Sequence, residues 1–250
     1  MIRVGLVGAS GRTGRYVVEA LRGSKEAVLH SAIVSPGSPK LGSLVADTEL
    51  YYSSEFSSLA GADVVIDFSN PATSVAVVEW CAAQGVPVLV ATTGHSAEQV
   101  GLIKGLGSKV AVGLTPNTSV GAAALTSLVE KAKGLLGDGF DIEVLEIHHR
   151  MKKDAPSGTA LSVVEPIADR ERLVFGRPGT RREGEVGMVS LRGGDVVGDH
   201  TVYFLGHGER IEHSHRVSSR EVFGSGAVRL AERLVMLPAG VYSARQLLLG

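Results

Sequence analysis

The sequence predicts an α/β protein with a doubly wound parallel sheet in its first half, followed by a second, α+β domain built on an open mixed sheet. Three observations carry this expectation. Near-continuous Val/Ile/Leu runs up to Thr115 alternate with helix-period segments, the pattern of strands covered on both faces. A glycine-rich turn separates the first run from the first helix. Beyond about Ser119 the later runs alternate in polarity instead, as strands do when one face of their sheet is open.

Taken in order, Ile2–Val7 reads as a short buried strand, and Arg12–Leu21 places Tyr16, Val17, Ala20 and Leu21 on one helical side. A second apolar run, Ala27–Val34, follows at the distance a βαβ unit requires. Asp63–Ser69, Val86–Thr92 and Lys109–Thr115 are the next strands, with helices over Ala72–Ala83 and Ala97–Leu106 between them. Ser96 and Gln99 have the spacing of a capping box at the start of the second of these helices. Val120–Leu136 is a long helix with small residues on one side, Asp141–His149 a strand and Gly158–Ala168 a helix. Gly187–Leu191, His200–Gly206 and Glu209–Arg216 complete the mixed sheet. Glu171–Gly187, rich in Arg, Gly and Glu, is expected to be an exposed loop whose mixed charges are solvated. Gly224–Leu234 is helical again and is expected to pack back on the first domain.

Composition narrows the classes of function. With 250 residues, 44% of them hydrophobic, the chain can fill two modest cores without disulfide staples. No apolar run approaches the roughly 18 residues of a membrane span, and the N-terminus enters its glycine turn too early for a signal peptide. A cytoplasmic protein without a membrane partner is expected. The single Cys81 lies in the apolar-periodic segment Val75–Ala83 and reads as core packing. A net charge of −1 and the lack of a long basic block argue against nucleic acid. The expected ligand is therefore small.

The segment "VGASGRTG" supplies Gly8, Gly11 and Gly14 directly after a strand and ahead of a helix. Glycines there let the backbone turn tightly and approach a pyrophosphate, while the helix start offers unpaired N–H groups and partial positive charge. Strand, turn and helix together predict a dinucleotide site of Rossmann type. "ATTG" (Ala91–Gly94) and "TPNTSVG" (Thr115–Gly121) follow the next strands in the positions where such a sheet presents its ends to the ligand. At the end of the second strand, where an NAD site usually carries an acidic residue, stand Val34 and Ser35. Without that carboxylate nothing repels a 2′-phosphate, and Arg12, Ser35 or Lys40 can approach it. NADPH is expected to serve at least as well as NADH.

The chemistry points to "EIHHRMKKDAPSGTA", Glu146–Ala160. On an extended strand His148 and His149 face opposite ways, which disfavours a shared metal ion. His213 and His215 share a strand side but lack further ligands, so no metal site is expected. His148 differs from an ordinary strand histidine in the residues that follow it. Lys152 and Lys153 bring positive charge, and Pro156 leads into Ser157, Gly158 and Thr159 at a helix start. Their hydroxyls and backbone amides make a cradle for a carboxylate, and simple capping by Ser157 or Thr159 is compatible with it. A histidine with a reference pKa near 6.5 beside such a cradle suits a reduction coupled to protonation. Hydride transfer to a small carboxylated substrate is the reaction class that results.

The motifs "EIHHRMKKDAPSGTAL", "VGASGRTGR", "TPNTSVG" and "LRGGDVVGDHTVYFLGHGERIEHSHRVSSREVFGSGAV" resemble, in order and approximate spacing along the whole chain, the 4-hydroxy-tetrahydrodipicolinate (dihydrodipicolinate) reductases of lysine and diaminopimelate biosynthesis. The resemblance implies a dinucleotide-binding domain over 1–118, a substrate-binding and oligomerisation domain over 119–222, and a segment 223–250 returning to the first domain. It implies a homotetramer and a small dicarboxylate substrate. His148 would be the acid–base residue and Lys152 its cationic partner. His149 would contact substrate, with Ser157, Gly158 and Thr159 on a ring carboxylate. The cofactor, NADPH or NADH, would lie on Gly8, Ala9, Ser10, Gly11, Arg12 and Thr13. It would also touch Ser35, then Ala91, Thr92 and Thr93, then Thr115, Pro116, Asn117 and Thr118. In the family, hydride reaches the ring after its hydroxyl leaves as water, the histidine protonates the reduced intermediate, and domain closure brings the halves together. The chain departs from the family pattern at Val34 and Ser35, in place of an acidic and a basic residue, and at Ala91, where glycine is usual. Two other readings compete: a semialdehyde or aspartate-type dehydrogenase, and an NADP-binding sensor without catalysis. Neither has a use for His148 and Lys152 followed by Ser-Gly-Thr.

Overall fold

The computed structural model describes residues 1–249. They form two compact units, Met1–Val120 together with the chain from Arg220 onward, and Gly121–Ser219. In the first unit β1 (Ile2–Val7), β2 (Ala27–Ile33), β3 (Tyr52–Ser53), β4 (Val64–Asp67), β5 (Val88–Val90) and β6 (Ala111–Leu114) lie in the order β3-β2-β1-β4-β5-β6, every neighbouring pair parallel. The order reverses at β1, the switch point where such sheets bind ligands. The apolar runs form these strands because both sheet faces are covered. α1 (Gly14–Gly23), α2 (Pro71–Gln84) and α3 (Ala97–Leu106) connect them, and Val7, Val65, Val78, Val88, Ile103 and Val112 fill a shared core.

Local chemistry sets the helix ends. Asn70 accepts the Thr73 N–H at 3.1 Å ahead of Pro71, and Gly85 closes α2 in the left-handed conformation. Both bonds of the Ser96–Gln99 capping box are present, at 3.2 and 2.9 Å. Cys81 is fully buried within the core, and burial pushes its thiol far above the ordinary value, with the Asp67 charge adding to the effect. It packs, and offers no nucleophile.

The second unit opens with α4 (Val120–Leu136). Its sheet is formed by β7 (Asp141–His148), β8 (Leu173–Phe175), β9 (Val186–Arg192), β10 (Gly198–Leu205) and β11 (Arg210–Val217), in the order β11-β10-β7-β9-β8. β10 runs antiparallel to β7 and β11, whereas β9 is parallel to β7 and β8. Alternation turns Ile142, Val144, Met188, Val202 and Phe204 to one face, where they pack with Leu125 and Val129 of α4. α5 (Gly158–Val164) adds Ala160, Val163 and Val164 to that core. On the opposite face Leu145 and Ile147 are half-buried, while Val189, Leu191 and Leu205 are exposed.

The chain then returns to the first unit as α6 (Glu221–Leu234), β12 (Gly240–Tyr242) and α7 (Ala244–Leu249), with β12 parallel to β6 as the seventh strand. The glycines of α6 allow close backbone packing. A Cβ on Gly224 would stand 2.3 Å from the Tyr16 carbonyl oxygen of α1, and one on Gly226 would stand 2.0 Å from that of Thr118.

The stretch Glu171–Gly187 is largely exposed, as expected, but it contains β8, and two of its arginines are committed to the sheet. Arg177 pairs with Glu143 at 2.7 Å and Glu185 at 3.1 Å, and Arg181 pairs with Asp141 at 2.9 Å and with Glu143. Glu143 needs these cations because it lies against β9 beside Gly187, where any Cβ would collide with its carboxylate at 1.9 Å. Charge counting along the sequence cannot see a partner more than thirty positions away.

Candidate functional site

In the first unit, three strand ends converge on a cavity of about 450 Å³. Gly11–Thr13, Ala91–Thr93 and Pro116–Thr118 line it. Beneath them Gly8 and Ala9 donate their N–H groups to the Ile33 carbonyl at 2.9 and 3.0 Å, so the turn is fixed to the end of β2. Ala9 is fully buried, Ser10 exposed. Gly8 sits at φ +80°, where a Cβ would come within 2.3 Å of the Phe68 carbonyl oxygen. A Cβ on Gly14 would lie 2.2 Å from the Gly8 carbonyl oxygen. Only glycine permits this turn, and it leaves the start of α1 able to receive a phosphate. Thr115 is buried and donates its hydroxyl to the Asn117 carbonyl at 2.7 Å, shaping the loop after β6. Ser35 is exposed just past β2 and does not line the cavity, and Val34 is buried at 4% exposure.

Sequence reasoning missed three lining residues, Phe68, Ser69 and Phe223, and the carboxylate that organises two of the cavity walls. Asp67, fully buried at the end of β4, accepts from the Ser69 N–H at 3.0 Å, the Ser69 and Ser74 hydroxyls at 2.5 Å each, and the Thr92 hydroxyl at 2.8 Å. One acceptor thus holds the loops after β4 and β5 in register. Phe223 enters from α6, and its carbonyl accepts the Thr118 hydroxyl at 2.7 Å.

In the second unit, the alternation that sends Ile142 and Val144 into the core sends Glu146 and His148 to the same face. Register brings His200 of β10 and Ser190 of β9 level with Glu146, and Arg192 of β9 level with His148. The hydrophobic face of the sheet therefore ends in a polar cluster. Glu146 is 1% exposed and His148 7%. The Glu146 carboxylate accepts from His148 Nδ1, from both terminal nitrogens of Arg192 at 2.9 and 2.7 Å, and from the Ser157 N–H at 3.2 Å. Burial pushes its carboxyl up, but hydrogen bonds from Arg192, Ser190 and His148 outweigh this and hold it at about 2. For His148 burial wins, lowering the imidazole from its ordinary value against the pull of Glu146, with Lys152 and Arg192 adding to the reduction.

On the far side of the His148 ring, Nε2 faces Gly198, where a Cβ would approach within 2.9 Å. His200 meets the ring edge-on, with centroids 5.2 Å apart, and its own Nε2 lies 3.1 Å from the Ser157 hydroxyl. Burial, then the neighbouring His148, brings His200 down to about 4, so it stays neutral through the physiological range.

The segment after β7 places the remaining predicted residues. His149 follows the strand end and is half-buried. Lys152 pairs with the largely exposed Asp154 at 2.9 Å. Ser157 is 1% exposed and points inward: its hydroxyl caps α5 by accepting the Ala160 N–H at 3.1 Å, and its N–H serves Glu146. Gly158 is exposed and Thr159 half-buried. Glu146, Arg192 and His200 were not singled out from the sequence. The available signal was phase, since each falls on the inward face of a strand where an apolar residue is the norm.

His213 and His215 lie on the covered face of β11, with His213 edge-on to Phe204 at 6.0 Å. Among the described residues no group of three or more His, Cys, Asp and Glu side chains is arranged to hold a metal ion. No described helix is long and apolar enough to cross a membrane.

Comparison with known proteins covers both units. Residues 2–118 match the family described as dihydrodipicolinate reductase, N-terminus, and residues 121–248 match dihydrodipicolinate reductase, C-terminus. The chain is 38% identical to the 4-hydroxy-tetrahydrodipicolinate reductase of Nitrosomonas europaea, over 99% of its own length and 98% of the relative's. It is 41% identical to the enzyme of that name from Aquifex aeolicus, over 97% of each. Among solved structures, the dipicolinate-bound dihydrodipicolinate reductase from Paenisporosarcina sp. TG-14 superposes with a TM-score of 0.78 at 24% identity, over 97% of each chain. A probable dehydrogenase from Thermotoga maritima shares the fold at a TM-score of 0.65 and 14% identity.

Proposed function

The chain belongs to the dihydrodipicolinate reductase family, and from that premise we propose how its own residues reduce 4-hydroxy-tetrahydrodipicolinate, the oxidoreductase step of lysine and diaminopimelate biosynthesis that it catalyses. The observation that carries the proposal is the buried Glu146–His148 pair beside Lys152. A nicotinamide dinucleotide supplies the hydride. Gly8–Thr13, with the walls Ala91–Thr93 and Thr115–Thr118, would hold it, the start of α1 offering N–H groups to its phosphates.

In the second unit, once the ring hydroxyl has left as water and the hydride has been delivered, His148 gives a proton from Nε2 to the reduced ring and recovers one from solvent. Lys152 exchanges Asp154 for a substrate carboxylate, which the start of α5 at Gly158 and Thr159 also receives. His149, just past the end of β7, is proposed to contact substrate. Ser157 acts by holding this loop: with its N–H on Glu146 and its hydroxyl between Ala160 and His200, it shapes the cradle from behind. A non-catalytic sensor would have no use for this buried acid–base pair. Pyridine-2,6-dicarboxylate, a planar diacid, is expected to compete with substrate in steady-state kinetics. Purely noncompetitive inhibition would place the diacid elsewhere.

NADPH is proposed to serve at least as well as NADH. The support is the lack of a carboxylate after β2, where Val34 is buried and Ser35 exposed, and the exposed Arg12 at the cavity rim. Comparing kcat/KM for the two cofactors tests this, and a strong NADH preference would refute it.

A homotetramer is proposed from membership of the family, and the uncovered sheet face of the second unit, with Val189 45% and Leu191 47% exposed beside Leu145 and Ile147, offers a surface for association. Sedimentation at micromolar concentration reads the assembly, and a monomer there would overturn it. The cytoplasm is the proposed location, in keeping with the unpaired, buried Cys81.

A further inference from the structure

The reading of His148 as the proton donor leaves a buried carboxylate and a half-buried guanidinium without a task. Taking a carboxylate out of water costs several kcal/mol unless it is paired and hydrogen-bonded, and a well-packed apolar residue would serve β7 at least as well as a structural element. Glu146 is nevertheless 1% exposed, in the strand phase occupied by Ile142 and Val144. Its hydrogen bonds follow a pattern. Arg192 grips both oxygens in a fork, Ser157 adds its N–H, and the remaining capacity of Oε2 goes to His148 Nδ1.

We infer that Glu146, kept ionised by Arg192, is the positioning residue that fixes the hydrogen of His148 on Nδ1 and so reserves Nε2 for proton exchange. The inference rests on the proposed role of His148. A carboxylate can only accept, so Nδ1 carries a hydrogen in both charge states of the ring. The neutral ring then has its lone pair on Nε2, beside Gly198, where the space left by the missing side chain keeps that atom clear. Without the carboxylate, the neutral ring is free to place its hydrogen on either nitrogen. Through the Ser157 N–H the same carboxylate anchors the end of the loop that carries Lys152. Glu146 touches neither substrate nor cofactor in this scheme; it acts through the imidazole and the loop. The other charged or titratable groups around the ring are Arg192 from β9, His200 from β10 and Lys152 from the loop, with His215 of β11 behind His200.

The test is a set of variants in the full-length enzyme, Glu146→Gln, Glu146→Asp and His148→Gln, read by pH–rate profiles and by the ¹⁵N spectrum of histidine-labelled protein. Glu146→Gln is expected to lower kcat at least about 10-fold, with substrate KM and cofactor Kd changed by less than about 3-fold. Because the lost negative charge had favoured the imidazolium, the pH–rate limb belonging to His148 is expected to move about one unit toward acid. Glu146→Asp, which restores the charge at shorter reach, should recover part of both effects. In the wild type, the neutral His148 ring should show hydrogen on Nδ1. An unchanged kcat and limb in folded Glu146→Gln, alongside an impaired His148→Gln, would overturn the positioning role and leave that of His148 standing. A His148→Gln enzyme with wild-type kcat would instead overturn the underlying reading. Should Glu146→Gln fail to fold, the wild-type spectrum decides, since hydrogen on Nε2 of the neutral ring contradicts the inference.

Discussion

Replacing His148 by alanine is expected to lower kcat by about 10²-fold or more, with dinucleotide affinity unchanged within error. The size follows from what is removed: the only imidazole in the cluster paired with an ionised carboxylate and adjacent to Lys152. His200 cannot take over, because burial holds it neutral down to about pH 4 and its Nε2 is engaged with Ser157. Unchanged affinity follows from the division of labour, since the cavity proposed to hold the dinucleotide is lined by first-unit residues. Stopped-flow hydride oxidation and fluorescence titration of the cofactor separate the two quantities. Loss of cofactor binding with full turnover at saturation would reverse the assignment.

Gly8→Ala is the second large effect, and it lies in the other unit. The residue sits at φ +80°, and an added Cβ would meet the Phe68 carbonyl oxygen at 2.3 Å and the Ser69 nitrogen at 3.0 Å. These are backbone atoms at the end of β4, fixed by the Asp67 network, so they cannot step aside as a flexible side chain would. A left-handed alanine costs roughly 1–2 kcal/mol, and forcing an extra carbon into a packed site roughly 1–3 kcal/mol more. A loss of about 3 kcal/mol in the stability of the first unit is expected, together with at least a 10-fold weaker dinucleotide affinity on the order expected for a displaced phosphate cradle. Denaturant unfolding and cofactor titration check both. A variant with wild-type midpoint and affinity would show that the cradle is not built as described.

The two units were legible because their longer strands and helices carry strong hydrophobic patterns: Ile2–Val7, Ala97–Leu106 and Val120–Leu136 have the expected limits to the residue. β3, β8 and β12 were not. Each has two or three residues, too few for a period to show, and each exists by pairing with a neighbour far along the chain. The same distance hid the ion pairs of Arg177 and Arg181. His148 attracted attention through Lys152 and the Ser-Gly-Thr turn that follow it. Glu146 stood in plain view two positions earlier, yet a glutamate in an alternating strand ordinarily faces water. Its inward phase acquires meaning only with Arg192, 46 positions away across the parallel pairing of β7 and β9. Ser157 was expected as a helix cap and as a substrate donor because sequence shows the hydroxyl and not its neighbours; its N–H serves Glu146, and its hydroxyl meets Ala160 and His200.

At the centre of this account is a reaction in which hydride from a dinucleotide on the first unit meets a diacid ring held by the second beside His148. Diffraction from crystals of the enzyme with cofactor and pyridine-2,6-dicarboxylate tests it most directly. The predicted result puts one ring carboxylate on Lys152 and the backbone of Gly158 and Thr159, with His148 Nε2 toward the ring and the nicotinamide over its opposite side. A ring bound away from that loop, with the imidazole turned from it, would contradict the account.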